Sequence, residues 1–458
     1  MVSKDLNSLW RDAAINDAAP REKLSSDIET DVAIIGAGFS GLWTAYYLKR
    51  LMPNSQIVII DANEVGFGAS GRNGGWCSGF MPNSIDELAE LHGREAAIEM
   101  YRQSFATLDE IESVLVNENI DCDFHRGGTI CGATNSVQAS RVTSEITKFH
   151  DFGFTDDDIR QLSQTEVEHR INISNLQLAS YTPHCAVIHP AKLVDGLARV
   201  IEKLGVKIYE NSPVTQYQSG FIKTDHVTCR AQLIIRATEG FTSSIKTHRR
   251  TLAPLYSYMI ATSPLTESQL QTLGWKNRET YHDARNMIIY CQLTADKRIA
   301  FGGRGAPYHF ASRVKPSYDT HPLIHEKICN SMRKIFEKIG DIEITHKWGG
   351  PLGVPRNWNP SVNFDARSGL GSLGGYVGDG VAASNLAART MAHLIAEDNH
   401  ELTQLCWANN QSRKWEVEPL RYFGINGLLK ISESIDAYES KTNSPDRIRT
   451  KILDTFLG

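Results

Sequence analysis

The chain has 458 residues, 41% of them hydrophobic and 22% charged, with a formal net charge of -5. This length is too great for one compact core and predicts two domains, or one large domain with an insertion. The composition is that of an ordinary globular protein, and the small, dispersed charge argues against nucleic acid or an anionic membrane as a partner.

Cysteine usage and hydropathy narrow the class of protein further. The eight cysteines are scattered, with no CxxC pair and no histidine at metal spacing, so they predict reduced, buried thiols and no metal site. The polar leader, which ends near Thr30, has no apolar targeting segment, and no run approaches the ~18 apolar residues that a membrane span needs. These features predict a cytoplasmic protein without a membrane span.

The first regular elements form a strand-helix-strand unit. The apolar run from Asp31 to Gly36 predicts a strand that is covered on both faces. Phe39 to Met52 predicts a helix, and Gln56 to Asp61 predicts a second strand. In such a unit the crossover is right-handed and the strands are parallel.

A glycine-rich turn, Gly36-Ala-Gly38-Phe-Ser-Gly41, joins the first strand to the helix. Glycines at this spacing allow a tight turn, close approach to a pyrophosphate and close packing of the helix on the strand. Asp61 ends the second strand twenty residues after Gly41, where its carboxylate can accept hydrogen bonds from ribose hydroxyls. The pattern predicts a dinucleotide-binding fold, but it does not distinguish FAD from NAD.

A long loop of small residues, Gly66 to Trp76, follows the second strand. It can offer backbone N–H groups and the side chains of Ser70, Arg72 and Asn73 to the rest of the cofactor. A nicotinamide cofactor does not need such a loop at this position, so the loop favours FAD. The alternative is a flexible surface loop.

Two later segments repeat the alternation of strand and helix. Pro190 to Leu204 predicts a helix that Gly205 can cap, and Val206 to Tyr209 predicts another strand of the same sheet. A second glycine-rich turn, from Gly369 to Gly380, precedes a helix over Ala382 to Ile395.

The segments between these cofactor-like pieces contain more aromatic and β-branched runs. We therefore predict an α/β protein, α+β overall, with a Rossmann-like FAD-binding domain on a parallel sheet and a substrate domain on a mostly antiparallel sheet. The predicted boundaries are 1–29 for an N-terminal extension, 30–95, 185–245 and 345–405 for the FAD-binding domain, 96–184 and 246–344 for the substrate domain, and 406–458 for a C-terminal helical tail.

Together the motifs resemble the D-amino-acid oxidase superfamily of FAD-dependent oxidoreductases, which includes glycine, sarcosine and γ-glutamylputrescine oxidases. The resemblance covers nearly the whole chain and rests on GAGFSG, Asp61, ASGRNGG at 69–75, VKIYENSPV at 206–214 and GGYVGDGV at 374–381. The segments SLWRDAA, WGGPLGVP and EPLRYFGING are similar to a bacterial subgroup labelled aminophosphonate oxidoreductases.

The resemblance implies non-covalent FAD, because neither Cys77 nor any other residue matches the covalent attachment pattern. Gly378 to Val381 would set a helix N-terminus against the flavin pyrimidine, where negative charge develops on reduction. Asp379 has a negative charge that opposes this stabilisation, so we expect it to point away and cap the turn.

Val214 would lie by the adenine, with Ala237 and Thr238 along the dinucleotide. The full implied set is Gly36, Gly38, Phe39, Ser40, Gly41, Asp61, Ala62, Gly68, Ala69, Ser70, Arg72, Asn73, Gly74, Gly75, Trp76, Val214, Ala237, Thr238, Gly375, Tyr376, Gly378, Asp379, Gly380 and Val381.

The resemblance also implies the reaction. A hydride would pass from the carbon bearing nitrogen of a small primary or secondary amine to flavin N5, and water would hydrolyse the imine to an aldehyde or ketone. Molecular oxygen, or another electron acceptor, would reoxidise the flavin. Positioning carries most of the catalysis, because a neutral amine needs no strong protein base.

The candidate substrate-site residues lie in the inserted region and just after it. Arg304 stands among glycines in FGGRGAPYHF, and its planar fork suits a carboxylate or phosphonate. Tyr258 and His309 are candidates to wall the pocket or hydrogen-bond the amine, and Trp76 and Trp348 to lie against the flavin ring. For each residue, ordinary surface or core packing is the alternative.

Three functions remain open at this point. The first is an FAD-dependent oxidase or dehydrogenase of an amine, an amino acid or an aminophosphonate. The second is a nicotinamide-dependent dehydrogenase, which would leave the loops at 69–75 and 374–381 without a role. The third is a flavin-bearing binding protein without turnover.

Overall fold

The computed structural model describes residues 8–13, 20–303, 305 and 307–457. In chain order its helices are α1 (Leu9–Ala13), α2 (Phe39–Leu51), α3 (Ile85–His92), α4 (Arg94–Asn117), α5 (Ser136–Asp151), α6 (Gln164–Arg170), α7 (Pro190–Lys203), α8 (Glu267–Leu273), α9 (Pro322–Ile335), α10 (Gly380–Ala396), α11 (Leu420–Thr442) and α12 (Arg447–Leu457). Its strands are β1 (Ile28–Ile35), β2 (Ile57–Ile60), β3 (Trp76–Ser78), β4 (Thr129–Ala133), β5 (Arg160–Gln161), β6 (Leu178–Thr182), β7 (Cys185–Val187), β8 (Lys207–Tyr209), β9 (Gln216–Gln218), β10 (Phe221–Lys223), β11 (Thr228–Arg236), β12 (Ala253–Thr262), β13 (Thr280–Asp283), β14 (Ile289–Leu293), β15 (Ile299–Gly303), β16 (Ile344–Val354), β17 (Ser361–Asp365) and β18 (Leu370–Gly374).

The first sheet has the strand order β17-β18-β11-β1-β2-β8, and the hairpin β9-β10 pairs with β11. The five strands from β18 to β8 are parallel, whereas β17 is an antiparallel edge strand. The predicted strand-helix-strand unit is β1, α2 and β2. The strand predicted at Val206 to Tyr209 is β8, at the edge of the same sheet.

The central strands are buried on both faces, as their continuous apolar runs predict. Val32 and Ile34 pack into a core that includes α2, α7 and α10, while Ala33 and Ile35 pack into a second core on the opposite face. Alternate residues of a strand point to opposite faces, so one run supplies both cores.

The second sheet has the order β16-β12-β15-β14-β13-β4-β6-β5. Every pair in it is antiparallel except β13 with β4, so the predicted mostly antiparallel sheet is confirmed. One face carries an apolar core that includes Ile328 and Met332 of α9. The opposite face is turned towards the glycine-rich loop that follows β2.

Core and sheet membership differ from the predicted domain boundaries at two places. Helix α4 falls in the range 96–184 predicted for the substrate domain, yet Met100, Phe105 and Leu108 pack in the core of the first sheet. Strand β16 covers all of 345–354, which the sequence assigns to the FAD-binding domain, but it pairs with β12 in the second sheet. These contacts join residues that are far apart in the chain, so the bounds of the helices and strands alone do not predict them.

All eight cysteines are free thiols, seven of them buried and Cys406 half-buried. No helix within the described residues is long and apolar enough to cross a membrane. The C-terminal segment is helical over α11 and α12.

Candidate active site

A first cavity of about 620 Å³ opens at the carboxyl ends of the parallel strands β1, β2 and β11. We call it the cofactor cavity. Ile35 and Gly36 line it from the end of β1, Asp61 from the end of β2, and Ala237 and Thr238 from the end of β11. Open α/β sheets bind nucleotides at this edge.

The glycine turn makes close backbone contacts that side chains would prevent. A Cβ atom at Gly36, whose φ is +111°, would overlap the carbonyl group of Ala237. A Cβ at Gly41 would overlap the carbonyl oxygen of Gly36, where α2 crosses β1. A Cβ at Gly38 would lie 2.8 Å from the hydroxyl of Ser70. The turn therefore has the geometry that the fingerprint predicts.

Asp61 is held by backbone amides at the cavity wall. Ala37 N donates to Oδ2 over 2.6 Å, and Asn63 N donates to Oδ1 over 2.8 Å. Burial raises the pKa of Asp61 to about 6, although the amide hydrogen bonds work in the opposite direction. The carboxylate is thus positioned to accept further hydrogen bonds from a ligand.

Hydrogen bonds within the loop after β2, and one to the start of α2, stabilise the conformation of this loop. Phe39 N donates to the Ser70 hydroxyl over 2.8 Å, which joins the loop to the start of α2. The Asn73 amide donates to the carbonyls of Ala69 and Ser70, each over 3.1 Å, and its oxygen accepts from Gly75 N over 2.7 Å. Ser70 and Asn73 line the cofactor cavity.

The Arg72 side chain does not line the cofactor cavity, contrary to the prediction. It is buried and forms an ion pair with Asp319 at 2.8 Å, donates to the Gly349 carbonyl over 3.3 Å, and stacks over the Phe67 ring. The guanidinium therefore ties the loop to the second sheet and to the segment before α9.

A carboxylate that the sequence analysis missed organises the second glycine-rich turn. Glu239 accepts hydrogen bonds from Gly375 N over 2.8 Å and from Tyr376 N over 3.1 Å. Burial raises the pKa of Glu239 to about 7. The Tyr376 hydroxyl lies 3.0 Å from that of Ser40, so the turn is also fixed to α2. A single Glu after β11 matches no sequence motif, so the sequence alone does not identify its role.

Asp379 is the N-cap residue of α10, but its side chain makes no capping hydrogen bond. The expected cap is therefore not formed by a side-chain hydrogen bond to the start of α10. Asp379 lines a second cavity instead of the cofactor cavity.

Most of the implied cofactor set lines the cofactor cavity: Gly36, Gly38, Phe39, Ser40, Asp61, Ala62, Gly68, Ala69, Ser70, Asn73, Val214, Ala237, Thr238, Tyr376, Gly378, Gly380 and Val381. Arg72, Gly74, Trp76 and Asp379 line the second cavity. Gly41, Gly75 and Gly375 line neither and act through the packing of the loops. The basic residues Lys246 and Arg249 line the cofactor cavity without having been singled out by sequence.

The second cavity, of about 290 Å³, lies on the inner face of the second sheet. We call it the sheet cavity. Five residues line both cavities, so the two share a wall: Ala69, Asn73, Leu352, Gly378 and Val381.

Strand alternation decides which side chains of β12 face the sheet cavity. Ser257 and Met259 line it, whereas Tyr256 and Tyr258 belong to the core on the opposite face. Tyr258 is fully buried, and its hydroxyl donates to the Tyr318 carbonyl over 2.7 Å. The structure therefore places Tyr258 in the core, which was the alternative to a place on the pocket wall.

The other predicted substrate residues are dispersed. His309 stacks on Tyr318 with ring centroids 3.5 Å apart and lines neither cavity. Trp348 is 1% exposed, and its indole N–H donates to the Arg72 carbonyl over 2.8 Å, which is a core position. Trp76 does line the sheet cavity, and its ring is inclined by 67° to that of His282. Arg304 lies outside the described residues.

The sheet cavity is also lined by polar groups that the sequence did not predict. The hydroxyls of Ser257 and Tyr290 are 2.7 Å apart, and His282 stands on the neighbouring strand β13. Glu145 of α5 faces the same cavity, and burial raises the pKa of its carboxyl. These residues come from separate strands and a helix, so no local spacing connects them.

The two sheets, the glycine turn and the paired cavities define a dinucleotide-binding protein with a second cavity beside the cofactor cavity. A family model described as "FAD dependent oxidoreductase" matches residues 31–394, and the chain belongs to this family. Because this family is FAD-dependent, the cofactor of the chain is FAD and not NAD.

The chain is similar to several characterised or named proteins. It is 26% identical to "Probable oxidoreductase OrdL" of Haemophilus influenzae, over 81% of this chain and 84% of that one. It is 26% identical to "Gamma-glutamylputrescine oxidoreductase" of Escherichia coli, over 84% and 88%. Among solved structures, glycine oxidase from Geobacillus kaustophilus has a TM-score of 0.67 and 18% identity, over 84% of this chain and 99% of that one. The last comparison shows a shared fold.

Proposed function

We propose that the chain binds FAD non-covalently in the cofactor cavity and oxidises a small primary or secondary amine in the sheet cavity. The observation that carries the proposal is the wall that the two cavities share. In this division of labour, the first sheet holds the cofactor and the second sheet supplies the substrate pocket. The named relative that acts on γ-glutamylputrescine and the structural neighbour that acts on glycine support an amine as substrate.

The residues of the cofactor cavity fit FAD. The Asp61 carboxylate and the start of α2 provide the polar groups that a ribose and a pyrophosphate require. The start of α10 lies further along the same cavity and has no side-chain cap, so its N–H groups can face an acceptor. Cys77, the thiol nearest the loop, is fully buried in the apolar core, and burial raises its pKa. A buried thiol of this kind supports non-covalent binding.

Bound flavin supplies the acceptor for a hydride from the carbon bearing nitrogen; the substrate becomes an imine, which water hydrolyses to an aldehyde or ketone and ammonia or an amine. The chain positions the amine for this step. The Ser257 and Tyr290 hydroxyls and the His282 ring offer hydrogen-bonding groups, and Trp76 provides an apolar wall. We infer oxygen as the acceptor that completes the cycle, with hydrogen peroxide as its product.

The proposal is tested with the purified protein. We expect yellow protein that releases intact FAD on denaturation, and bleaching when amines are added without air. Peroxide release in air would identify an oxidase, and bleaching without peroxide a dehydrogenase. A flavin colour that persists with primary amines, secondary amines, amino acids and aminophosphonates would overturn the amine assignment and favour a binding protein.

A further inference from the structure

The sheet cavity is elongated across the second sheet. Its lining residues come from strands spread across this sheet: Leu352 on β16, Ser257 on β12, Tyr290 on β14, His282 on β13, Cys131 on β4 and Ser180 on β6. Strands lie about 4.8 Å apart, so the three spacings from β14 to β6 correspond to about 14 Å. One end of the cavity meets the cofactor cavity, and the other lies under α5.

The far end of the sheet cavity contains Glu145. Helix α5 packs on β4 and β6 there, and Glu145 lies close to Cys131 of β4, whose thiol has a pKa raised by burial and by the Glu145 charge. Among the described residues, none forms a hydrogen bond or an ion pair with the Glu145 carboxylate. The nearby ammonium of Lys148 is engaged with Asp86 at 2.5 Å.

Glu145 is half-buried, and its carboxylate faces the sheet cavity without a protein partner among the described residues. Partial removal from water is unfavourable for a carboxylate, and this desolvation raises the pKa of Glu145. A cation or a strong donor entering the cavity would offset that cost. The hydroxyl of Ser180 also lines this end and is an additional acceptor or donor for such a group. A carboxylate or phosphonate at the same place would face the like charge of Glu145.

We propose that Glu145 is a specificity-determining residue that binds a second, cationic nitrogen of the substrate, remote from the nitrogen at the oxidised carbon. This inference rests on the proposed function. The substrate class is an elongated amine with two basic nitrogens separated by more than a two-carbon linker, since a two-carbon linker is much shorter than the cavity. An ammonium group offers three N–H donors, enough for both the Glu145 carboxylate and the Ser180 hydroxyl.

The test compares unbranched α,ω-diamines with monoamines of the same chain length. The holoenzyme is mixed with each amine without air, and flavin bleaching gives kcat/KM for the reduction. We expect diamines of four or more carbons to be preferred by wild-type protein. Glu145→Gln should lower kcat/KM for diamines about tenfold to a hundredfold, mostly through KM, and leave monoamines within about twofold, because one charged hydrogen bond is lost.

Two further variants separate charge from folding. Glu145→Asp retains the charge on a shorter side chain, and we expect a smaller loss with diamines. Asp151→Asn removes an exposed carboxylate from the end of the same helix and should change neither substrate series.

Binding to the oxidised holoenzyme provides a second readout. A diamine whose nitrogen-bearing carbons carry no hydrogen, such as 2,5-diamino-2,5-dimethylhexane, cannot lose a hydride but keeps its N–H donors. Calorimetry should show about tenfold weaker binding of this diamine to the Glu145→Gln protein, as for a lost charged contact. Unchanged binding, or equal losses with diamines and monoamines, would overturn the role of Glu145. Failure of every amine to bleach the flavin would instead overturn the proposed function, whatever the binding result.

Discussion

The carboxylate of Glu239 and the amide nitrogen of Gly375 are 2.8 Å apart, although 136 residues separate them in the chain. The contact joins the segment after β11 to the turn after β18, and both line the cofactor cavity or its margin. A Cβ at Gly374 would crowd the same carboxylate. Glu239 therefore fixes the shape of the second glycine-rich turn.

Glu239 should make the stability of the flavin-free protein depend on pH. Its pKa is about 7 in the folded protein and 4.5 ordinarily. Between these values the folded protein retains a proton that the unfolded chain has released, so the free energy of unfolding falls as pH rises. Denaturant titrations across this window should show a shallower fall for Glu239→Gln than for wild type. Glu90→Gln, an exposed change on α3, is the control and should keep the wild-type slope.

Asp61 should make FAD affinity depend on pH in the opposite sense. Its pKa is about 6 without the cofactor, and ribose hydroxyls would favour the ionised form. FAD should therefore bind more weakly as pH falls below that value. Asp61→Asn should weaken FAD binding about tenfold or more, by the loss of one charged hydrogen bond, and flatten the pH dependence. Quenching of FAD fluorescence on titration gives the affinity. An unaltered affinity in the variant would remove Asp61 from the cofactor site.

Gly41 and Gly427 make a matched pair of helical glycines. A Cβ at Gly41 would overlap the Gly36 carbonyl, so Gly41→Ala should destabilise the protein by about 1–3 kcal/mol and impair FAD retention. A Cβ at Gly427, inside α11, would meet open space, so Gly427→Ala should stabilise it by up to about 1 kcal/mol. Thermal and denaturant unfolding measure both. Equal effects would contradict the assigned close packing of α2 on β1.

The local part of the cofactor site could be predicted from sequence, but the substrate pocket could not. The glycine turn and Asp61 belong to one continuous strand-helix-strand unit, so their spacing in the sequence predicts their relative positions in the fold. In β12, by contrast, the choice between Tyr258 and Met259 depends on which face meets the cofactor, and distant segments determine that. The partner of Arg72 is likewise 247 residues away, at Asp319.

Trp76 and Trp348 should separate binding from stability. Trp76 lines the sheet cavity, so Trp76→Phe should change KM for the amine while the free energy of unfolding stays within about 1 kcal/mol of wild type. Trp348→Phe leaves the buried Arg72 carbonyl without its donor and should cost about 1–3 kcal/mol, with little change in the rate of flavin reduction. The converse pattern would show that Trp348, and not Trp76, contacts the ligand.

The Arg72–Asp319 ion pair should be a strong link between the loop after β2 and the segment before α9. Its side chains are only 6% and 4% exposed, so Asp319→Asn would leave a buried guanidinium without its counter-charge and should cost about 3–5 kcal/mol. The exposed pair of Lys297 and Glu267, at 52% and 74%, is the control, and Glu267→Gln should cost less than about 1 kcal/mol.

A double variant tests whether the cost of losing Asp319 comes from the uncompensated charge. Replacing both partners, as Arg72→Met with Asp319→Leu, removes the buried charges together and should recover much of the stability lost in Asp319→Asn. FAD retention in the double variant reports separately on the loop, because Asn73 and Ser70 still brace it. A double variant as unstable as Asp319→Asn would show that the guanidinium contacts with the Gly349 carbonyl and Phe67, and not charge compensation, hold the loop in place.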